Sequence, residues 1–332
     1  MSNLTHEDSH SGDQTSDPFQ HVSFIMYQVL KVSMIIGVLI NLLAIVILYQ
    51  MRQHGLIGPG PSFILLHQSF WDGLSCLLNV VVSFEWLQIR SDSSHAWNDI
   101  ICHVWITEGL YYVTSTYGGF NHILLSLERL IAIGYPFDYM KETTRKTIVL
   151  SFYYTWPFIS VFPSFFKKTY FPESFKCLEK SWFEQEHYLI SFRTYTIFKI
   201  FNEHLAPMVF PIIFNTCTII KIRQAEELSI SHVDAKAQRG KASIALLKIS
   251  FWITILFTAG VGYETYIHVV EGFRMIEKPL SALEHRLGFV LEQAGVAFNP
   301  LIYFFFLTSL RRQVFKLFGI DAGSAQMQST IQ

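Results

Sequence analysis

The sequence predicts an all-α protein: a seven-transmembrane helix bundle with a short amphipathic interfacial helix 8 after it. Three observations carry that expectation. Of 332 residues, 51% are hydrophobic and 15% charged, against roughly 25% charged in an ordinary soluble domain, so lipid is the better solvent for this chain. Seven stretches are apolar over the length of about 20 residues that a span needs, since lipid cannot satisfy bare backbone groups. The segment that follows them alternates basic and apolar residues at helical spacing and is too short to cross.

The spans fall near 24–50, 62–88, 102–134, 147–166, 195–222, 242–270 and 286–307. The first, fourth and sixth are plainly apolar. The other four carry polar residues, which points to faces turned toward a bundle interior. Residues 24–307 therefore form the bundle and 308–320 the amphipathic helix. The polar segments 1–23 and 321–332 read as a disordered extracellular N-terminus and a disordered cytoplasmic tail.

Orientation follows from the basic residues. With the N-terminus outside, the cytoplasmic segments hold 14 of the 25 lysines and arginines and the outer segments nine, with Lys31 and Lys199 near helix ends. That bias agrees with the positive-inside rule. Asn3 in Asn3-Leu4-Thr5 is a glycosylation acceptor usable only outside the cell. No basic stretch and short apolar core opens the chain, so the first span is expected to target it to the membrane.

Several function classes drop out. A net charge of −1 gives no case for nucleic acid. Four cysteines are too few for a disulfide scaffold and no CxxC pair suggests zinc. GxSxG and paired histidines within one span are missing, so no enzyme and no cofactor is expected. Neither repeat symmetry nor discontinuous helices support the less favoured alternative of a transporter.

Polar residues inside spans are costly and each asks for a reason. The third span ends in Glu128-Arg129-Leu130, followed by Ile131-Ala132-Ile133-Gly134-Tyr135-Pro136. The seventh ends in Asn299-Pro300-Leu301-Ile302-Tyr303, and Leu310-Arg311-Arg312 follows. The first span carries Asn41, the second Asp72 and the fourth Trp156. Cys102 opens the third span, and Cys177 lies in the loop after the fourth. From the first span to residue 319, this combination resembles the rhodopsin-like (class A) G-protein-coupled receptors.

The resemblance implies roles for these residues. Glu128 and Arg129 would form an activation switch in which the arginine is held at rest and turns toward a heterotrimeric G protein on activation. Asn299, Pro300 and Tyr303 would form a hinge that reorients Tyr303. Asp72 would join Asn41 and Asn299 in a polar hub; a sodium ion there is the weaker expectation, because the positions completing the ligand set are Gly118 and Gly295. Cys102 and Cys177 would pair as a disulfide on the oxidising side. Bland readings stand beside these: Arg129 snorkelling to the interface, Asp72 as a neutral buried acid, Pro300 simply bending a helix.

The chain also departs from the family pattern. Leu130 follows the arginine in place of tyrosine, and the sixth span has no proline, leaving Gly260 and Gly262 as sources of flexibility. Cys102 and Arg129 stand about two residues further apart than the resemblance leads one to expect. Pro207, with Pro211 competing, anchors the fifth span and puts Asn215 where a tyrosine is common. Phe251 is read as the aromatic anchor of the sixth span. Counting back from it, the position of a latching acid is Ala237, which predicts a loosely latched resting state.

For the ligand, the aspartate of aminergic receptors is replaced by Tyr111, and 286–307 has no lysine for a retinal Schiff base. The outer halves of the helices hold Glu85, Glu108, Glu264 and Glu292 with Tyr111, Tyr112, Tyr263 and Tyr266. Bundle acids are expected to face a watery cavity rather than lipid, with Glu85 and Glu264 equally open to an interfacial position. The pocket residues are thus Glu108, Tyr111, Tyr112, Glu264 and Glu292, and a small, partly basic peptide is the favoured ligand. The expected partners are that extracellular ligand, a heterotrimeric G protein and the bilayer of the plasma membrane. A ligand-binding seven-helix protein without G-protein signalling is the alternative.

Overall fold

The first helix shows how lipid shapes the sequence pattern. In α1 (Pro18–Gln53), Leu30, Met34, Asn41, Ala44, Leu48 and Met51 are buried at spacings of three, four and seven, while Val32, Leu39, Leu42 and Val46 on the other faces are exposed. A helix that is apolar all round belongs in a membrane or a deep core. The structure, a computed structural model, describes residues 18–83, 93–106, 109–134, 154–160, 168–171, 176–179, 197–228, 234–272, 282–317 and 319. α1 ends at Gly55, whose φ of 66° suits glycine; its N–H donates to the Arg52 carbonyl and that of Leu56 to the Met51 carbonyl, closing the helix as C-terminal glycines commonly do.

α2 (Pro59–Ser83) starts on a proline, whose missing N–H costs nothing in a first turn. A short helix, His95–Ile100, capped by the Ser94 hydroxyl, runs into a π-helical turn, Ile101–Ile106. α3 (Gly109–Gly134) follows. A π turn takes up more residues than an α turn, which accounts for much of the long spacing between Cys102 and Arg129. α4 is described over 154–160. The hairpin of β1 (Lys168–Phe171) and β2 (Lys176–Glu179) is antiparallel, with Tyr170 opposite Cys177. It is a small addition to the all-α expectation, confined to the segment after α4.

A second π turn, Ile200–Leu205, leads into α5 (Ala206–Leu228), which contains Pro211. α6 (Asp234–Gly272) runs for 39 residues without proline. α7 (Ala282–Phe306) carries Pro300, and after Leu307 the chain turns by 98° into α8 (Thr308–Leu317). Length and hydropathy alone qualify three of the described helices as spans, Phe24–Gln53, Ile197–Gln224 and Ile244–Ile267, or four if α7 and α8 counted as one bent span. α2 and α3 are long enough but carry Gln68, Asp72, Asn79, Thr114 and Asn121, all buried. Their polar residues face the bundle and not the lipid.

Two packing relationships position the site. Leu48, Leu65, Leu125, Ile249, Ile253 and Tyr303 belong to one apolar cluster joining α1, α2, α3, α6 and α7 around the end that bears Arg129. Further up, α6 and α7 touch backbone to backbone: a Cβ at Gly260 would stand 2.9 Å from the Leu291 carbonyl oxygen. Gly260 is therefore a close-packing residue first, whatever flexibility it lends α6.

Candidate functional site

A column of polar side chains runs through the middle of the bundle. At its centre the two carboxylate oxygens of Asp72 accept from the amides of Gln68 and Asn299, each at 2.8 Å. Asn121 on α3 donates to the Gln68 side chain at 2.8 Å and to the Ile64 carbonyl at 2.9 Å. Every member is buried, and satisfied buried networks of this kind fix one packing. Asn299 takes the place expected of it. Asn41 is buried and packs beside Gly73, but its amide donates to the Gly37 carbonyl of its own helix, so it flanks the hub without bonding Asp72. Gln68 and Asn121 do the bonding instead. A cation at Asp72 would have to displace an amide donor, and Gly118, beside the carboxylate, offers no side-chain oxygen.

Above the hub lies a narrow cavity of about 20 Å³, the scale of a water molecule or small ion. It reaches from Asp72 and Asn299 past His122 to Ser115 and Glu292. The Ser115 hydroxyl donates to Glu292 Oε1 at 2.7 Å, and Asn79 donates to Gln293 at 2.8 Å. His122 is buried edge-on to Phe257, ring centroids 4.8 Å apart, and neither ring nitrogen has a hydrogen-bond partner among the described residues.

At the upper end, Tyr112 lies under the Lys199 ammonium, 3.7 Å from the ring centroid, and Lys199 pairs with Glu203 one turn on at 3.7 Å. Glu203 is itself within electrostatic range of Glu292. Of the expected pocket residues, the structure thus brings Tyr112 and Glu292 toward the same region. Tyr111 and Glu264 lie on α3 and α6 with side chains outside the described residues, as is all of Glu108 and Glu85. Tyr266 is more than half exposed on α6 and is not among the residues lining this cavity. Lys199 lies near the start of helix 5, as expected, and is only 15% exposed; Asn202, Glu203 and His204 of the π turn that follows are buried as well.

Cys102 and Cys177 are bonded, their Cα atoms 5.5 Å apart, so β2 is tied to the π turn before α3. Cys76 and Cys217 are free. Asn3 lies outside the described residues.

At the lower end Arg129 is 3% exposed and ion-paired to Glu128 through both its Nε and a terminal nitrogen. The pair is enclosed, not solvent-facing, and that removes one premise of a loose latch. The second premise shifts too. Phe251 is 46% exposed and faces outward, whereas Phe257 fills the interior beside Gly119, where Pro207 also packs. Phe257 and Pro207 are the true anchors, and the same count back from Phe257 reaches Ser243 in place of Ala237. Between the helices a neutral clasp has formed: Ser126 bonds Ser250 at 2.8 Å, and Ser250 donates to Asn215 at 2.9 Å. Tyr303 is fully buried in the apolar cluster that also holds Leu125 and Ile249, with Pro300 one turn before it on α7. The clasp residues were legible only as scattered serines and an asparagine.

Compared with known protein families, the chain matches the 7 transmembrane receptor (rhodopsin family) over residues 40–303, well over half its length. The chain belongs to that family. Membership makes it a multi-pass plasma-membrane receptor, of the class whose partners are an extracellular ligand and a G protein. None of the curated proteins matches it.

Proposed function

We propose that the chain is a signalling receptor, N-terminus outside, that takes a ligand bearing a cationic group, a small partly basic peptide, and activates heterotrimeric G proteins. One observation carries the reading. A polar cavity inside the bundle, with Ser115 and Glu292 at one end and Asp72 and Asn299 at the other, shares its helices with an arginine held shut by Glu128. Ligand binding that favours one packing of α3, α5, α6 and α7 over another would shift the whole column, since a ligand moves such an equilibrium only through its differential affinity for the two states. Glu128 and Arg129 act as the switch, and Pro300 and Tyr303 as the hinge on α7. The basic residues, most numerous in the segments beside Arg129, support this orientation.

A receptor that binds without signalling is the second reading, favoured by an α6 that runs unbroken through Val261 with no proline. Expression in cells carrying reporters for several G-protein classes, with a library of basic peptides and amines applied outside, separates the two. Ligand-dependent output lost in Arg129→Ala supports signalling; saturable binding with no output in any reporter favours the second reading.

A further inference from the structure

A lysine at membrane depth is expensive unless something holds its charge. The Tyr112 ring face and the Glu203 carboxylate both hold Lys199. The ring contact is close and the carboxylate contact is loose. The 3.7 Å separation from Glu203 exceeds the roughly 2.7–2.9 Å of a charge-assisted hydrogen bond. Glu203 is 7% exposed, yet its Oε1 has no hydrogen-bond partner among the described residues. A buried carboxylate oxygen left without a donor is costly, and an aromatic face beside it attracts organic cations. Carboxylate and ring together are a slot for an ammonium group, and the lysine, a compact charge on a flexible stem, is a removable occupant.

We propose that Tyr112 and Glu203 form a subsite for a primary ammonium group, which Lys199 fills from within the chain until a ligand amine takes its place. This rests on the reading that the chain binds an extracellular ligand, and it adds helix 5 to the recognition surface beside Glu292. The resident lysine sets a threshold. A tethered group competes at an effective concentration of about millimolar or more, so free amines are excluded unless other contacts reinforce them.

The test uses the full chain in lipid nanodiscs and ethylammonium as the probe, at constant ionic strength, with thermal unfolding as the readout. Lys199→Ala should unfold at lower temperature than the wild type. Ethylammonium should restore its stability saturably, with a midpoint at least about tenfold lower than any seen for the wild type. Adding Glu203→Gln should abolish the restoration, and guanidinium should restore less than ethylammonium. If Lys199→Ala does not fold, Lys199→Met keeps the apolar stem and serves in its place. No saturable shift, or an equal shift with Glu203→Gln present, overturns the proposal. G-protein output is read separately: a chain that signals but shows no amine rescue loses only this subsite, and one that shows rescue but never signals loses only the receptor reading.

Discussion

Ser126 on α3 and Ser250 on α6 share a hydroxyl–hydroxyl hydrogen bond of 2.8 Å, and Ser250 donates to the side-chain oxygen of Asn215 on α5 at 2.9 Å. Three helices are thereby joined, without any charge, about one turn from Arg129. The His122 carbonyl of α3, 3.0 Å away, is an alternative acceptor for the same Ser126 hydroxyl proton. Opening α6 away from α3 has to break this clasp.

The first prediction follows from that clasp. A neutral hydrogen bond contributes about 0.5–1.5 kcal/mol, so Ser250→Ala should raise the ligand-free active population roughly two- to tenfold. Second-messenger output plotted against receptor surface density measures it. The wild type, with its enclosed Arg129–Glu128 pair and its clasp, should show a low baseline. An unchanged slope in Ser250→Ala, in cells where agonist does evoke a response, rules the clasp out as a restraint.

The pocket end gives a second. Glu292 is buried and holds the Ser115 hydroxyl, so Glu292→Gln keeps shape and hydrogen bonding while removing the charge. A charge-assisted hydrogen bond contributes about 1.5–3 kcal/mol; its loss should weaken a cationic agonist about ten- to a hundredfold. Concentration–response curves for a true agonist test this, and unaltered potency would mean the ligand's cation is held elsewhere.

The disulfide anchors β2 to the start of the third helix across 75 residues of sequence. Loop closure of that length is worth about 3–5 kcal/mol in the chain-entropy account. Cys177→Ser should reduce surface expression and agonist affinity together. Peptide mapping of surface protein under non-reducing conditions should recover the Cys102–Cys177 pair, and finding both as free thiols would contradict it.

Topology supplies the fourth. Asn3 should carry a glycan in a eukaryotic membrane, and a reporter at the C-terminus should be cytoplasmic. Glycosidase sensitivity of the wild type, lost in Asn3→Gln, is the expected result; a cytoplasmic N-terminus would defeat the receptor reading entirely.

Much of this was legible in the sequence, for identifiable reasons. Span lengths are set by bilayer thickness, and the runs at Glu128-Arg129 and Asn299–Tyr303 are local in sequence, so both survive without coordinates. The hub was half legible: Asp72 and Asn299 declared themselves, but choosing Gln68 and Asn121 over Asn41 needs the rotation of three helices at once. The rotation of α6 was the clearest failure. Its middle is apolar on every face, so no periodicity sets its phase, and Phe251 and Phe257 are equivalent until Gly119 and Pro207 are seen to receive one of them. The burial of Lys199 was not legible, because the composition around it does not announce the π turn at Ile200–Leu205.

The bare contact of Gly260 with the backbone of α7 gives α6 a fulcrum. The two backbones meet directly at that point, so the helix can tilt about it once the Ser126–Ser250 clasp gives. From Gly260 to Asp234 is 26 residues, a lever arm of about 39 Å at 1.5 Å per residue. A tilt of about 10° at the fulcrum would swing the far tip by about 7 Å on that arm, while the short arm above barely moves. Bulk added at position 260 would jam the pivot, so the long arm converts a small adjustment near the ligand into a wide opening beside Arg129.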